Sequence, residues 1–206
     1  MPATIWNVDP EHPQPRVVEK AVGFLSSGGL VAFPTDTYYA IGCDLFDKRA
    51  IERVYQLKQL PRDHELSFLC ADLAEVSRYA LLDNAAYRVL RRKTPGPFTF
   101  VLPATRLVPD LVLRRQKTVG VRIPGDPVAL EIVRKLAHPV ISTSAATPSG
   151  EVLIDARDIR DQLGHGLEMV LDGGYKPNEP SSVVDLTGPE PRVVRVGKGD
   201  VSDLLT

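Results

Sequence analysis

The sequence lacks the usual signs of export and of membrane insertion. Residues 1–15 have neither a basic start nor an apolar core, so we expect no secretory signal peptide. No apolar run approaches the roughly 20 residues of a membrane span. Only two cysteines occur, Cys43 and Cys70, and they form no CxxC pair. Their scarcity argues against a disulfide scaffold or a zinc site and favours a reducing compartment. We therefore expect a cytoplasmic protein.

The common nucleotide-binding and hydrolase motifs are also missing. The sequence contains no GxxxxGK[ST], GxGxxG, HExxH or GxSxG pattern. The segment VGKGD at 196–200 places a lysine between glycines, but it lacks the upstream glycine and the following Ser/Thr of a P-loop. The four histidines show no metal-ligand spacing. We therefore predict no metal site built from side chains, and no P-loop or serine-hydrolase machinery.

What is present is the composition of an ordinary folded chain. Of the 206 residues, 43% are hydrophobic and 25% are charged, which argues against disorder. This length suits one domain with a sizeable core. Strand-like runs alternate with helical patterns that begin at aspartates. We predict strands at 30–33, 66–70, 98–103, 118–124 and 139–144, three late strands, and helices after positions 47, 72, 83, 126 and 155. The pattern predicts an α/β domain with a twisted, mixed sheet flanked by helices.

The net charge of −1 conceals an uneven distribution. The segment 84–125 contains a single acid, Asp110, among many bases. These bases are Arg88, Arg91, Arg92, Lys93, Arg106, Arg114, Arg115, Lys117 and Arg122. A basic middle suggests a surface for anions, whereas the simpler interpretation is a set of solvated surface charges. Charge alone does not separate the two.

Hydroxyl side chains cluster where strands end. The segments are PTDT at 34–37, STS at 142–144 and SS at 181–182, and the arginines Arg122 and Arg195 close two further strands. Ligands of open α/β sheets lie at strand ends, and an arginine fork suits carboxylate or phosphate. Serines and threonines at strand ends also make local turn bonds, which is the plainer explanation of each cluster. Together they predict a polar ligand cleft.

Several of these segments, taken in order, resemble the YrdC/YciO family. They are LVAFPTDTYYAIGCDLFD, YQLKQLP, PGPFTFVLP, TVGVRIPGDP, STSAATPSG, SSVVDL and VVRVGKG. Their residues are most similar to those of the YciO branch. The resemblance implies a single YrdC-like domain over 1–206, with its core at about 14–200 and no additional C-terminal domain. It also implies a mostly antiparallel sheet around a concave, basic cleft.

The resemblance implies an activity as well. The best-understood members are threonylcarbamoyl-AMP synthases, which join L-threonine, bicarbonate and ATP and release pyrophosphate. Partner proteins pass the product's acyl group to tRNA. Other members are described as binding double-stranded RNA. Three hypotheses stay open: a synthase-like enzyme, an RNA-binding paralogue with little catalysis, and a plain metabolite binder.

The positions that match the family's motifs indicate which residues of this chain would form the site. The resemblance implies that threonine contacts Thr37, Arg122, Ser144 and Ser181. It implies that ATP, with Mg²⁺, contacts Lys58, Thr118 and Arg195, with Lys58 also catalytic. For an RNA surface, Arg114, Arg115 and Lys117 are the residues we expect to contact phosphate, because they precede the strand that carries Arg122.

The chain departs from the family's two signature motifs at two positions, and Leu69 stands where the family usually has a histidine. The family reads Lys-x-Arg and Ser-x-Asn where this chain has Leu60 and Ala146, so two polar groups are lost. Arg62 and His64 are candidates to replace them. Of the two tyrosines after PTDT, we expect at least one to pack in the core or at the rim.

Overall fold

The computed structural model describes residues 3–61, 64–113 and 116–205. Arg62, Arg114 and Arg115 lie outside these ranges. The strands are β1 (Thr4–Asn7), β2 (Val31–Phe33), β3 (Ala40–Asp44), β4 (Ser67–Leu69), β5 (Phe98–Pro103), β6 (Thr118–Arg122), β7 (Val140–Ser144), β8 (Met169–Asp172), β9 (Ser182–Asp185) and β10 (Arg192–Arg195). The helices are α1 (Pro15–Ser26), α2 (Lys48–Leu57), α3 (Leu73–Tyr79), α4 (Asn84–Lys93), α5 (Pro127–Leu136) and α6 (Ala156–Leu163).

Aspartate caps begin five of the helices, as the sequence predicts. The carboxylates of Asp47, Asp72, Asp83, Asp126 and Asp155 each accept a backbone N–H from the first turn of their helix. Such a cap satisfies a donor that has no partner within the helix. None of the described helices is long and apolar enough to cross a membrane.

Strands β1 and β3 are absent from the sequence-based prediction. The segment of β3 follows directly on PTDTYY, and its small residues do not alternate apolar with polar. In the structure β3 pairs with β2 and β7 and is buried on both faces, so no alternation is required of it. Gly42 permits this packing, since a Cβ there would lie 2.5 Å from Cε1 of Phe33.

The ten strands form one mixed sheet in the order β1-β8-β2-β3-β7-β4-β6-β5-β9-β10. Within the described residues, five of the nine neighbouring pairs are antiparallel and four are parallel. The predicted α/β class and the mixed, mostly antiparallel sheet are confirmed.

Helices cover the two faces of the sheet unequally. On one face α2, α3, α4 and α6 pack over the main core, which includes Phe68, Phe100 and Val121. On the other face α1 and α5 cover a smaller core that includes Phe33, Val140 and Met169. Successive strand residues point to opposite faces. On this second face α1 and α5 leave uncovered the strands β6, β5, β9 and β10 and the adjoining ends of β3, β7 and β4. That uncovered region positions the site.

Candidate active site

A cleft of about 1220 Å³ occupies the uncovered part of the sheet. Its floor consists of alternate residues from seven adjacent strands, β3 to β10 in the sheet order. They are Ala40, Ser142, Ser144, Ser67, Thr118, Arg122, Thr99, Val101, Val183, Asp185, Arg192 and Val194. At a strand spacing of about 4.8 Å, the floor is roughly 29 Å wide. This width accommodates a nucleotide together with a second small substrate.

Loops form the walls of the cleft. Thr35 and Tyr38 from the PTDT segment stand on one side, and Leu111, Val112 and Leu113 contribute an apolar side. The cleft is therefore polar at its floor and partly apolar at its wall, the usual constitution of a small-molecule site.

Arg122 is the most buried cation on the cleft floor, with 7% of its surface exposed. Its Nη2 donates to Oδ1 of Asp36 at 2.6 Å and lies 3.4 Å from Oγ1 of Thr37. The other carboxylate oxygen of Asp36 accepts the backbone N–H of Gly125 at 2.8 Å. The buried Nε of Arg122 has no hydrogen-bond partner among the described residues. Asp36 thus balances and orients a guanidinium that keeps donors unused for a ligand.

The hydroxyls of the PTDT segment bond mainly to one another and to the backbone. The Thr35 hydroxyl donates to the carbonyl of Tyr38 at 2.7 Å and lies 2.9 Å from Oγ1 of Thr37. Thr37 is fully buried and does not line the cleft, so it supports Arg122 from behind. The strand β2 therefore ends in a rigid turn that forms a cleft wall.

Lys58 follows the last residue of α2 and is only 5% exposed. Its Nζ donates to Thr143 Oγ1 at 2.8 Å, to the Ser144 carbonyl at 2.7 Å and to Ser144 Oγ at 3.2 Å. Burial lowers the pKa of Lys58 to about 8, so the amine is mostly protonated at neutral pH. Its three donors are all engaged, and a phosphate would have to displace one of these acceptors.

Arg195 reaches the cleft from the edge strand β10. The pairing register of β10 shifts between Val193 and Arg195. The Nε of Arg195 donates to the Ser181 carbonyl at 3.0 Å, and Nη2 donates to Ser181 Oγ at 3.2 Å. Ser181 Oγ lies 2.8 Å from Oγ1 of Thr99 on the floor. Arg195 is thereby fixed against Ser181, whose hydroxyl contacts the floor residue Thr99.

The structure brings most of the predicted site residues together. Five of them line the one cleft: Thr118, Arg122, Ser144, Ser181 and Arg195. Lys58 reaches it through Thr143 and Ser144, and Thr37 lies behind Arg122. Lys117 is exposed just before β6, whereas the predicted RNA contacts Arg114 and Arg115 lie outside the described residues. Within the described chain no three His, Cys, Asp or Glu side chains group as metal ligands.

Several residues of the cleft are not predicted by the sequence patterns. Thr99, Asp185 and Arg192 line the floor, and Tyr38 lines the wall. The alternation in FTFV was a usable signal, because Phe98 and Phe100 point to the core and the threonine between them must face the opposite side. No local pattern identified the others.

The two departures from the family pattern lie beside the cleft. Leu60 packs against the main core, and Ala146 is buried and forms an isolated bridge with Val152. Neither side chain lines the cleft, although their neighbours Pro61 and Ser144 do. Arginine and asparagine at these positions would be long enough to add polar groups at its margin.

Several known proteins share the sequence pattern and the fold of this chain. A family model described as "Telomere recombination", which covers the Sua5, YciO and YrdC proteins, matches residues 23–197. The crystal structure of Escherichia coli YciO aligns with a TM-score of 0.93 at 38% identity, covering 98% of this chain and all of that one. The structure of Pyrococcus abyssi Sua5 complexed with L-threonine aligns with a TM-score of 0.89 at 30% identity, covering 95% of this chain and 58% of that one. A threonylcarbamoyl-AMP synthase of Chromobacterium violaceum is 34% identical, over 86% of this chain and 92% of its own length.

Proposed function

The chain belongs to the Sua5/YciO/YrdC family, and from this premise we propose that it is a threonylcarbamoyl-AMP synthase-like enzyme of tRNA modification. In this proposal L-threonine, bicarbonate and ATP combine to threonylcarbamoyl adenylate and pyrophosphate. The observation that supports it most is the placement of Arg122 and Arg195 over one hydroxyl-rich floor. Their strands are three positions apart in the sheet, or roughly 14 Å. That separation suits a carboxylate at one arginine and a phosphate at the other.

The amino acid is assigned to the end of the cleft near Arg122. Its carboxylate would pair with the unused donors of Arg122, while the hydroxyls of Ser144 and Ser181 orient the rest of the molecule. Thr37 would contribute by holding Arg122 in place. The amine, once it has lost a proton, is then free to bond to the carbon of bicarbonate with release of water. An oxygen of the resulting carbamate attacks the α-phosphate, and pyrophosphate leaves.

ATP is assigned to Lys58, Thr118 and Arg195. Because Lys58 bonds to Ser144 and Arg195 bonds to Ser181, the phosphates would adjoin the hydroxyls that orient the amino acid. These two cations would offset the charge that builds on the α-phosphate and on the departing pyrophosphate. We propose that Mg²⁺ enters with the phosphates, which together with water supply most of its oxygen ligands in nucleotide sites. The decisive assay is pyrophosphate release, which should require all three substrates. Both cysteines are buried and unpaired, which fits the cytoplasm as the place of this activity.

A second proposal concerns RNA as a partner, as tRNA or as a duplex. Helix α4 exposes Arg88, Arg91 and Arg92, and Lys117 is exposed before β6. Aromatic side chains are sparse in this basic segment, so contacts to phosphate and 2′-hydroxyl fit better than stacking on bases. Proteins of tRNA modification would be the further partners of such a complex.

Replacing Arg114, Arg115 and Lys117 with alanine should flatten the salt dependence of RNA affinity. Each neutralised phosphate contributes roughly 0.7–0.9 log units of affinity per tenfold change in salt. The slope should fall by about two to three units if all three side chains contact phosphate. Fluorescence anisotropy with a tRNA across a salt series measures it. The matched control replaces Arg49, Arg134 and Arg157, which are exposed elsewhere. If both triple variants show the same salt dependence of RNA affinity, these three residues do not form an RNA-binding surface and any RNA affinity is non-specific.

A further inference from the structure

Two adjacent tyrosines follow the PTDT turn, and the structure treats them differently. Tyr39 is fully buried, donates its hydroxyl to the Gly174 carbonyl at 2.7 Å and accepts the N–H of Gly173 at 3.2 Å. Tyr38 is partly exposed and lines the cleft. No hydrogen bond joins the Tyr38 hydroxyl to any residue in the described ranges. The Tyr39 phenol is therefore part of the core, whereas the Tyr38 phenol is available to a ligand in the cleft.

The backbone that carries Tyr38 is held on both sides. The Thr35 hydroxyl donates to the Tyr38 carbonyl at 2.7 Å, and the carbonyl of Tyr39 accepts the N–H of Ala145 at 2.8 Å. Directly after it, Ala40 pairs with Ser144 in the β3–β7 ladder. A phenol with two side-chain torsions on a fixed backbone is a well-ordered recognition group, because little freedom remains to be lost on binding.

Tyr38 lines the same cleft as Arg122 and belongs to the turn that holds this arginine, which indicates the part of a ligand that Tyr38 contacts. Arg122, held by Asp36 and Thr37 of the same turn, is the group that suits a carboxylate. The amine of the amino acid is the reacting group in the proposed function. A phenol is a neutral donor and acceptor, which leaves the side chain of the amino acid as its natural partner.

We propose that Tyr38 is a specificity-determining residue that selects amino acids with a side-chain hydroxyl. The inference rests on the proposed function and extends it from the class of reaction to the choice of substrate. The phenol exchanges a hydrogen bond with the hydroxyl of L-threonine. An isosteric amino acid without that hydroxyl cannot form this hydrogen bond, so the site binds the apolar analogue less tightly.

The test compares L-threonine, L-serine and L-valine by titration calorimetry, with a non-hydrolysable ATP analogue present. The wild-type chain should prefer threonine to valine, which has the same shape without the hydroxyl. Tyr38→Phe should shrink that preference by about three- to tenfold, the scale of one neutral hydrogen bond. It should weaken serine binding similarly and leave valine binding unchanged. Tyr87→Phe, on α4 against the opposite face of the sheet, is the matched control and should change none of these affinities.

The outcomes separate this inference from the proposed function. If the wild-type chain binds none of the three amino acids, both are overturned. If it binds threonine but Tyr38→Phe keeps the full preference over valine, or weakens threonine and valine equally, the role of Tyr38 is overturned while the proposed function stands. Because phenylalanine keeps the ring and its packing, a loss of fold is not expected, and a thermal melt of the variant verifies this.

Discussion

Replacing Arg122 with methionine should abolish measurable binding of L-threonine and destabilise the fold by about 3 kcal/mol. The guanidinium is the carboxylate-binding group of the proposed amino-acid site, and methionine cannot form its charge-assisted hydrogen bonds. The destabilisation has a separate cause. Asp36, whose side chain is 11% exposed, would keep a buried carboxylate without its 2.6 Å partner. Calorimetry gives the affinity, and urea unfolding gives the stability.

A second substitution separates the two effects of Arg122. Adding Asp36→Asn to Arg122→Met removes the stranded charge, so much of the stability should return while threonine binding stays absent. The pair Arg192–Asp185 provides a control for an exposed arginine on the cleft floor, since the Arg192 side chain is 75% exposed and Arg192→Met should change stability little. Threonine affinity that survives in Arg122→Met would contradict the assignment of this end of the cleft.

Restoring the two polar groups that the family pattern has should raise turnover substantially. We expect Leu60→Arg together with Ala146→Asn to increase threonine-dependent pyrophosphate release by roughly tenfold or more, because each charge-assisted hydrogen bond is worth about 1.5–3 kcal/mol. Residue 60 adjoins Pro61, and residue 146 lies two positions beyond Ser144. Both Pro61 and Ser144 line the cleft. Steady-state kinetics measure the gain, which should appear mainly in kcat.

A charge-matched variant tests whether an added positive charge alone raises turnover. Leu107→Arg adds the same charge at a residue that is 55% exposed, outside the cleft lining, and should not alter turnover. A double variant that folds and shows the wild-type rate would mean that another group, such as Arg62 or His64, already fills the role, or that the cleft performs different chemistry.

Local chemistry explains which parts of the fold the sequence predicts. An aspartate before an apolar period is a complete local signal for a helix start, so α2 to α6 are predicted correctly at their first turns. Strand β3 carries no such signal. Its residues are small, and they adopt a strand because they pair with β2 on one side and with β7 on the other. Strand β7 lies about 100 residues further along the chain.

The site likewise has parts that the sequence predicts and parts that depend on tertiary packing. Strand-end hydroxyls and the arginines of β6 and β10 are visible in the sequence, and the cleft gathers them. The tie from Lys58 to Ser144 joins residues 86 positions apart, and that from Asp36 to Arg122 joins residues 86 positions apart. Only tertiary packing brings such pairs together, so neither the saturated donors of Lys58 nor the balancing role of Asp36 follows from sequence patterns.

The central claim is that this cleft couples threonine, bicarbonate and ATP. Incubating the wild-type chain with L-threonine, ATP, Mg²⁺ and ¹³C-labelled bicarbonate, then resolving the nucleotides by mass spectrometry, tests it most directly. We expect an adenylate that contains threonine and one ¹³C atom, formed with pyrophosphate and absent when any one substrate is omitted. A nucleotide pool that contains no labelled adenylate, under conditions where a threonylcarbamoyl-AMP synthase forms it, would rule out the proposed function.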